Sequence, residues 1–111
     1  MPVMKEVRFV GSSLDDLRAF PKGPRQDMGR QINRVQQGLD PYDWRPMRSV
    51  GRGVREIRIL DEGNNYRCMY VTNIGDAICV LHVFVKKSQK TSTKDIDTAK
   101  ARLKALRALL R

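Results

Sequence analysis

Five arginines stand in RPMRSVGRGVREIRI, residues 45–59: Arg45, Arg48, Arg52, Arg55 and Arg58, with Glu56 as the sole acid among them. Arginine grips phosphate through a planar fork whose charge does not titrate away, so this row suits a phosphate-rich ligand. A second cationic group closes VLHVFVKKSQKT, residues 80–91, where an apolar run gives way to Lys86, Lys87 and Lys90. The only histidine is His82. A histidine-based metal site is therefore not expected, and a nucleophile–histidine arrangement would have to use that one ring. The spacing of Cys68 and Cys79 matches no zinc motif. Each lies in an apolar run and reads as a buried, reduced thiol.

At 111 residues the chain reads as a single domain, 1–111, with enough length for one hydrophobic core. Lys and Arg total 22 against 12 Asp and Glu, a net charge of +10. That field favours polyanions by attraction and by counterion release. The opening MPVMKEV lacks the apolar core of a secretory leader, and the longest apolar run, AICVL, falls far short of a bilayer span. A cytoplasmic protein without a membrane partner is expected.

These cations need elements to position them. Residues 4–10 alternate loosely as a first strand. Ser12 and Ser13 each precede an aspartate by three positions, a helix start closed by Pro21. Residues 22–39 read as a second helix, with Pro24 in its first turn and Met28, Ile32, Val35 and Leu39 on one stripe. Residues 40–53, with two prolines and two glycines, read as a loop in which Tyr42 and Trp44 pin the chain to the core. Three strands follow at 54–61, 66–72 and 77–85, joined by the turns EGNN and NIGD as an antiparallel meander. Ser92, three before Asp95, caps a last helix over about 93–110. Its apolar stripe is Ile96, Ala99, Leu103, Leu106 and Leu110, and its cations are Lys100, Arg102, Lys104, Arg107 and Arg111. The order β-α-α-β-β-β-α predicts an α+β fold, with helices on one face of a small, mainly antiparallel sheet and a basic face partly free.

Strand alternation places Glu56 and Arg58 on one face, with Arg55, Ile57 and Ile59 on the other. It likewise groups Ile78, Val80, His82, Phe84 and Lys86 apart from Cys79, Leu81, Val83 and Val85. In a meander Arg58 and Arg67 lie across from each other, and Lys86, Lys87 and Lys90 emerge at the same edge. Crowded cations lower a lysine's pKa, and a lysine so shifted can carry protons near neutral pH. Plainer roles exist for each: strand-end lysines as edge protectors, His82 as a core residue, and the last helix's cations as a solvated face.

The run EIRI, NYRCMYV and AICVLHVFVKKSQKTSTKDIDTAKARL resembles the phage-derived HigB-like toxins of the RelE/ParE superfamily. LHVFVKKSQKT followed by an Ala-Lys-containing helix carries most of the likeness, which covers roughly residues 4–107. The resemblance implies helices on a curved antiparallel sheet. It also implies a toxin of a type II toxin–antitoxin pair that cuts mRNA in the ribosome, with a helix-turn-helix, HigA-like antitoxin as partner and no cofactor. Carried over by position, the family's basic strand residue falls on Arg58, the arginine after the first meander turn on Arg67, and the strand-end cation on Lys86 or Lys87. His82 is the one imidazole available as a proton carrier, because Glu56 stands where some members have lysine. Arg48, Arg52, Arg55 and Lys90 complete the expected RNA surface. The resemblance also admits a non-catalytic ParE-like toxin acting on a protein such as DNA gyrase, and an inactive prophage nucleic-acid-binding module.

Overall fold

The computed structural model describes residues 4–87 and 90–110. Ser88, Gln89 and Arg111, which the sequence places in the basic run and on the last helix, lie outside the described residues. The elements are β1 (Val7–Phe9), α1 (Ser13–Arg18), α2 (Lys22–Gln36), β2 (Trp44–Pro46), β3 (Arg55–Asp61), β4 (Asn64–Ile74), β5 (Ala77–Lys86) and α3 (Thr93–Leu109). They build an α+β fold around one five-stranded mixed sheet of order β1-β5-β4-β3-β2. Only β1, beside β5, pairs in parallel.

The meander forms as the sequence predicts, with its second and third strands longer than expected. Asp61 pairs with Asn64, so the turn is only Glu62–Gly63, with φ of 47° and 79°. Two positive φ angles are what a tight hairpin turn matching strand twist requires; glycine adopts the second freely, while Glu62 carries the strain of the first. The expected loop at 40–53 contains an additional strand. Trp44–Pro46 pairs antiparallel with Ile57–Arg55 and forms the sheet edge, where a proline costs no ladder bond. Tyr42 does not pin that segment to the core: it is 79% exposed, with the Arg34 guanidinium over its ring.

The helices occupy both faces of the sheet, not one. Leu17 and Phe20 of the α1 segment, and Met28, Ile32 and Val35 of α2, pack with Ile57, Ile59, Tyr66, Tyr70, Ile78 and Val80. Leu39 lies beyond the end of α2 and is exposed. On the opposite face, Ala99 and Leu103 of α3 pack with Met69, Val71, Cys79, Leu81 and Phe84. Burying a leucine such as Leu103 stabilises the docked helix by about 1.5–3 kcal/mol. At the start of α3 the expected cap is present: Ser92 Oγ accepts from the Asp95 N–H at 3.1 Å. The leucine at the other end, Leu110, is exposed.

Strand β5 departs from simple alternation. Met69 pairs with His82 and Tyr70 with Val80, which leaves Leu81 as an extra residue, a β-bulge. Ile78 and Val80 face α1 and α2, whereas His82 and Phe84 turn to the α3 side. The grouping of Ile78, Val80, His82, Phe84 and Lys86 on one face is therefore broken at Leu81. The same bulge carries Lys86 to the face that bears Arg67. No helix among the described residues is long and apolar enough to cross a membrane.

Candidate functional site

The site grows from sheet register. Arg45 of β2 is the Cα partner of Glu56 on β3, and Arg58 of β3 is the partner of Arg67 on β4. Directly opposed residues share a face, and diagonal neighbours lie within reach of long side chains. Glu56 opposes Met69 and so meets Arg67 diagonally; Arg67 opposes Phe84 and so meets Lys86 diagonally. Arg45, Glu56, Arg58, Arg67 and Lys86 thus cluster on the α3 side of the sheet, toward the β3–β4 turn.

At the centre lies a carboxylate with no solvent exposure. Glu56 is 0% exposed, and its Oε1 stands 3.4 Å from the Nε of both Arg45 and Arg67. These contacts are ion pairs by distance, yet neither meets hydrogen-bond geometry, and all three atoms are sealed from solvent without a hydrogen-bond partner. We count the Coulomb attraction and not a hydrogen bond. The Thr91 hydroxyl donates to Glu56 Oε2 at 3.5 Å.

Arg67 is the most deeply placed cation, 6% exposed. A guanidinium has five N–H donors and no acceptor. Among the described residues neither Arg67 nor Arg45 donates a hydrogen bond. Burial lowers the Arg67 pKa; Glu56 opposes that shift, while Arg58 and Arg45 add to it. A guanidinium begins so far above neutrality that it stays charged. Lys86 responds more usefully. Burial lowers its pKa first, then Arg67 and Arg45; Glu56 opposes them and Arg58 adds a little. Lys86, Lys87, Asn64, Asn65 and Arg67 line one groove of about 740 Å³.

The expected site residues separate into three groups. Arg67, Lys86 and Lys87 share that groove. Arg58 lies beside them, but its Nε and a terminal nitrogen both donate to Asp43 Oδ1, at 2.9 and 2.7 Å, so Asp43 holds it at the rim. Arg48 and Lys90 line a neighbouring groove with Arg45 and Thr91.

The remaining three lie elsewhere. Arg55 faces the α2 side, where it stacks on Trp44 at 4.0 Å and pairs with Asp40 at 2.9 Å. Arg52 sits past the other end of β3, its carbonyl accepting from Asn73 and Arg107. His82 is occupied on both ring nitrogens: Nε2 lies 2.7 Å from Asp95 Oδ1 and Nδ1 lies 3.4 Å from an Arg102 nitrogen. Arg102 can only donate, so Nδ1 accepts and Nε2 carries the proton given to Asp95. Stacked on Phe84 and tied to α3 at two points, His82 is a strut between helix and sheet.

Arg45 is the member of this cluster that sequence reasoning left out of the site. It was visible as one of the arginines in the row, but its partner Glu56 is evident only once residues 44–46 are a strand. Among the described residues, no group of three or more His, Cys, Asp or Glu could hold a metal ion.

The family model described as Phage derived protein Gp49-like (DUF891) matches residues 15–104, which include every residue of this cluster. No curated protein matches the chain.

Proposed function

The chain belongs to the Gp49-like family of phage-derived proteins, and from that premise we propose that it is the toxin of a type II toxin–antitoxin pair, an mRNA endonuclease of the RelE/ParE superfamily that acts on the ribosome. The observation that carries this reading is Arg67: a buried guanidinium without a hydrogen-bond acceptor among the described residues, beside Arg45, Arg58 and Lys86. Leaving buried donors unpaired costs about 1–3 kcal/mol each, so such a group is suited to an oxyanion brought from outside. A phosphodiester supplies one.

In the proposed reaction the 2′-oxygen of the mRNA attacks the adjacent phosphorus, forming a P–O2′ bond as the P–O5′ bond breaks. Arg67, with Arg58 at the rim, stabilises charge that builds on the non-bridging oxygens. Lys86 gives its proton to the departing 5′-oxygen, a role its lowered pKa favours. Glu56 is sealed between guanidiniums and His82 has partners on both nitrogens, so neither takes the 2′-proton. In this reading that proton leaves to water or to a group of the ribosome. The partner in this reading is a HigA-like, helix-turn-helix antitoxin.

Induction of wild type, Arg67→Gln and Lys86→Ala in bacteria, with mapping of mRNA ends, tests the proposal. New ends inside translated codons with wild type, and none with either variant, are expected. Growth arrest without new ends would overturn it and point to a protein target such as DNA gyrase.

A further inference from the structure

Two of the grooves on this face each hold a residue that Glu56 touches. The first holds Arg67 and Lys86. The second, about 520 Å³, is lined by Arg45, Met47, Arg48, Ser49, Thr91 and Ile96, among others. Its volume lies within the range of about 300–1,000 Å³ usual for small-molecule sites. Glu56 Oε1 is 3.4 Å from Arg67 Nε on one side and from Arg45 Nε on the other, and Oε2 accepts from Thr91. One buried carboxylate therefore anchors cations of both grooves. Among the described residues, Arg45 and Arg48 donate no hydrogen bond.

The second groove combines three kinds of group. Arg45 and Arg48 are forks for an oxyanion. Ser49 brings an exposed hydroxyl of the kind that hydrogen-bonds a ribose, and Thr91 holds Glu56 from the groove side. Ile96, half-buried, gives an apolar surface on which a planar ring can rest, with Met47 buried beneath. Phosphate, sugar and base together make a nucleotide. Continuity with the first groove through Glu56 favours a nucleotide of the same strand over a separate ligand.

We propose that this groove is a second nucleotide subsite for single-stranded RNA, in which Arg45 and Arg48 hold the phosphodiester next to the one that reacts. The proposal rests on the reading of the first groove as the RNA site, and its test separates the two. The probe is a fluorescent 2′-O-methyl RNA hexanucleotide, whose blocked 2′-oxygens prevent cleavage, followed by anisotropy over a salt series. Arg48→Ala and Arg45→Gln are each expected to weaken the hexanucleotide about tenfold, as loss of a charged hydrogen bond does. Each is also expected to lower the salt slope by about 0.7, the value for one phosphate contact on a single strand.

A 2′-O-methyl dinucleotide, with one internal phosphate, should bind Arg48→Ala as well as wild type, because the first groove takes it. Arg30→Ala, on the opposite sheet face, should leave both probes unchanged. If Arg48→Ala and Arg45→Gln bind the hexanucleotide like wild type while Arg67→Gln does not, the subsite is wrong and the first groove stands. If Arg48→Ala weakens both probes equally, its effect is general charge and the subsite is again refuted. If Arg67→Gln binds both probes like wild type, the underlying reading of the first groove fails.

Discussion

Replacing Arg67 with alanine should unsettle the fold as well as the site, and the size of that effect follows from Glu56. The Glu56 carboxylate is 0% exposed and has two cationic neighbours, Arg45 and Arg67, each at 3.4 Å. Removing one partner of a buried pair costs about 3–5 kcal/mol, because the charge left behind is uncompensated. Arg45 remains in place here, so the lower end, about 3 kcal/mol, applies. Total stability for a domain is about 5–15 kcal/mol, so Arg67→Ala keeps its fold with a reduced margin. With a urea m-value of about 1.5 kcal/mol per M, the unfolding midpoint should fall by about 2 M. The double variant Glu56→Leu, Arg67→Met removes both charges and keeps apolar volume. Such replacements are often neutral or stabilising, so its midpoint should return toward wild type while RNA cleavage stays absent. Urea titrations followed by circular dichroism, with mRNA end mapping on the same proteins, measure both halves. A single variant as stable as wild type, or a double variant no better than the single, would refute the reasoning about the buried carboxylate.

In the proposed reaction Lys86 needs its proton to act as an acid, so cleavage by purified protein on programmed ribosomes should decline as pH rises through its lowered pKa. Arg45→Gln removes one cause of that lowering and should move the alkaline limb to higher pH; an unmoved limb assigns it to another group. The same shift has a stability sign: the unfolded chain binds the Lys86 proton more tightly, so charged Lys86 costs stability at neutral pH, and that cost is relieved as pH rises toward 10.5. Lys86→Met should therefore raise the unfolding midpoint at pH 7, checked by thermal melts at pH 7 and pH 10. Arg102 donates to the Leu81 carbonyl at 2.9 Å and to Ser12 Oγ at 2.9 Å. Arg102→Ala leaves a buried carbonyl unpaired at about 1–3 kcal/mol, and faster amide exchange in α3 should report it. Burial, then Glu56, pushes the Cys68 thiol up to about 12, and burial raises Cys79, with Arg8 opposing. An aromatic disulfide reagent at pH 8 should label neither thiol until urea is added; rapid labelling of the native protein would contradict their burial.

The parts of this fold that were legible in the sequence are those governed by local rules. The Ser92 cap, the Met28–Ile32–Val35 stripe and the hairpin at Glu62–Gly63 follow from residue chemistry over a few positions. So does the Arg58–Arg67 pairing, because a tight turn fixes register. Three features depended on partners distant in sequence. Trp44–Pro46 is a strand only because β3 offers it an edge, and its proline conceals it. The bulge at Leu81 leaves no mark in the run AICVLHVFV, because every alternation of an apolar run looks alike. α3 carries an amphipathic stripe, but a stripe does not say which sheet face it will cover; His82, Asp95 and Arg102 bind it to the face opposite α1 and α2. Arg55 lies on the face that strand alternation assigned it, opposite Arg58. Its charge suggested RNA, whereas strand parity, Trp44 and Asp40 assign it to the other side.

A sheet face that gathers Arg45, Arg58, Arg67 and Lys86 must overcome their mutual repulsion before any ligand arrives. Two carboxylates within the cluster offset part of it: Glu56 beneath Arg45 and Arg67, and Asp43 on Arg58. Four cations minus two carboxylates leave two positive charges. One buried anion thus does two things that an apolar residue at the same position could not. It offsets the desolvation of a guanidinium as enclosed as Arg67, and it holds Arg45 and Arg67 by their Nε edges. Anchoring in advance reduces the ordering cost of binding, since a preorganised fork loses less freedom when a phosphate docks. Lys87 in the first groove and Arg48 in the second add further positive charge to that balance. Lys86 and Lys87 extend the field at the end of β5, where among the described residues β4 is the sole neighbouring strand, since β1 reaches only Val80.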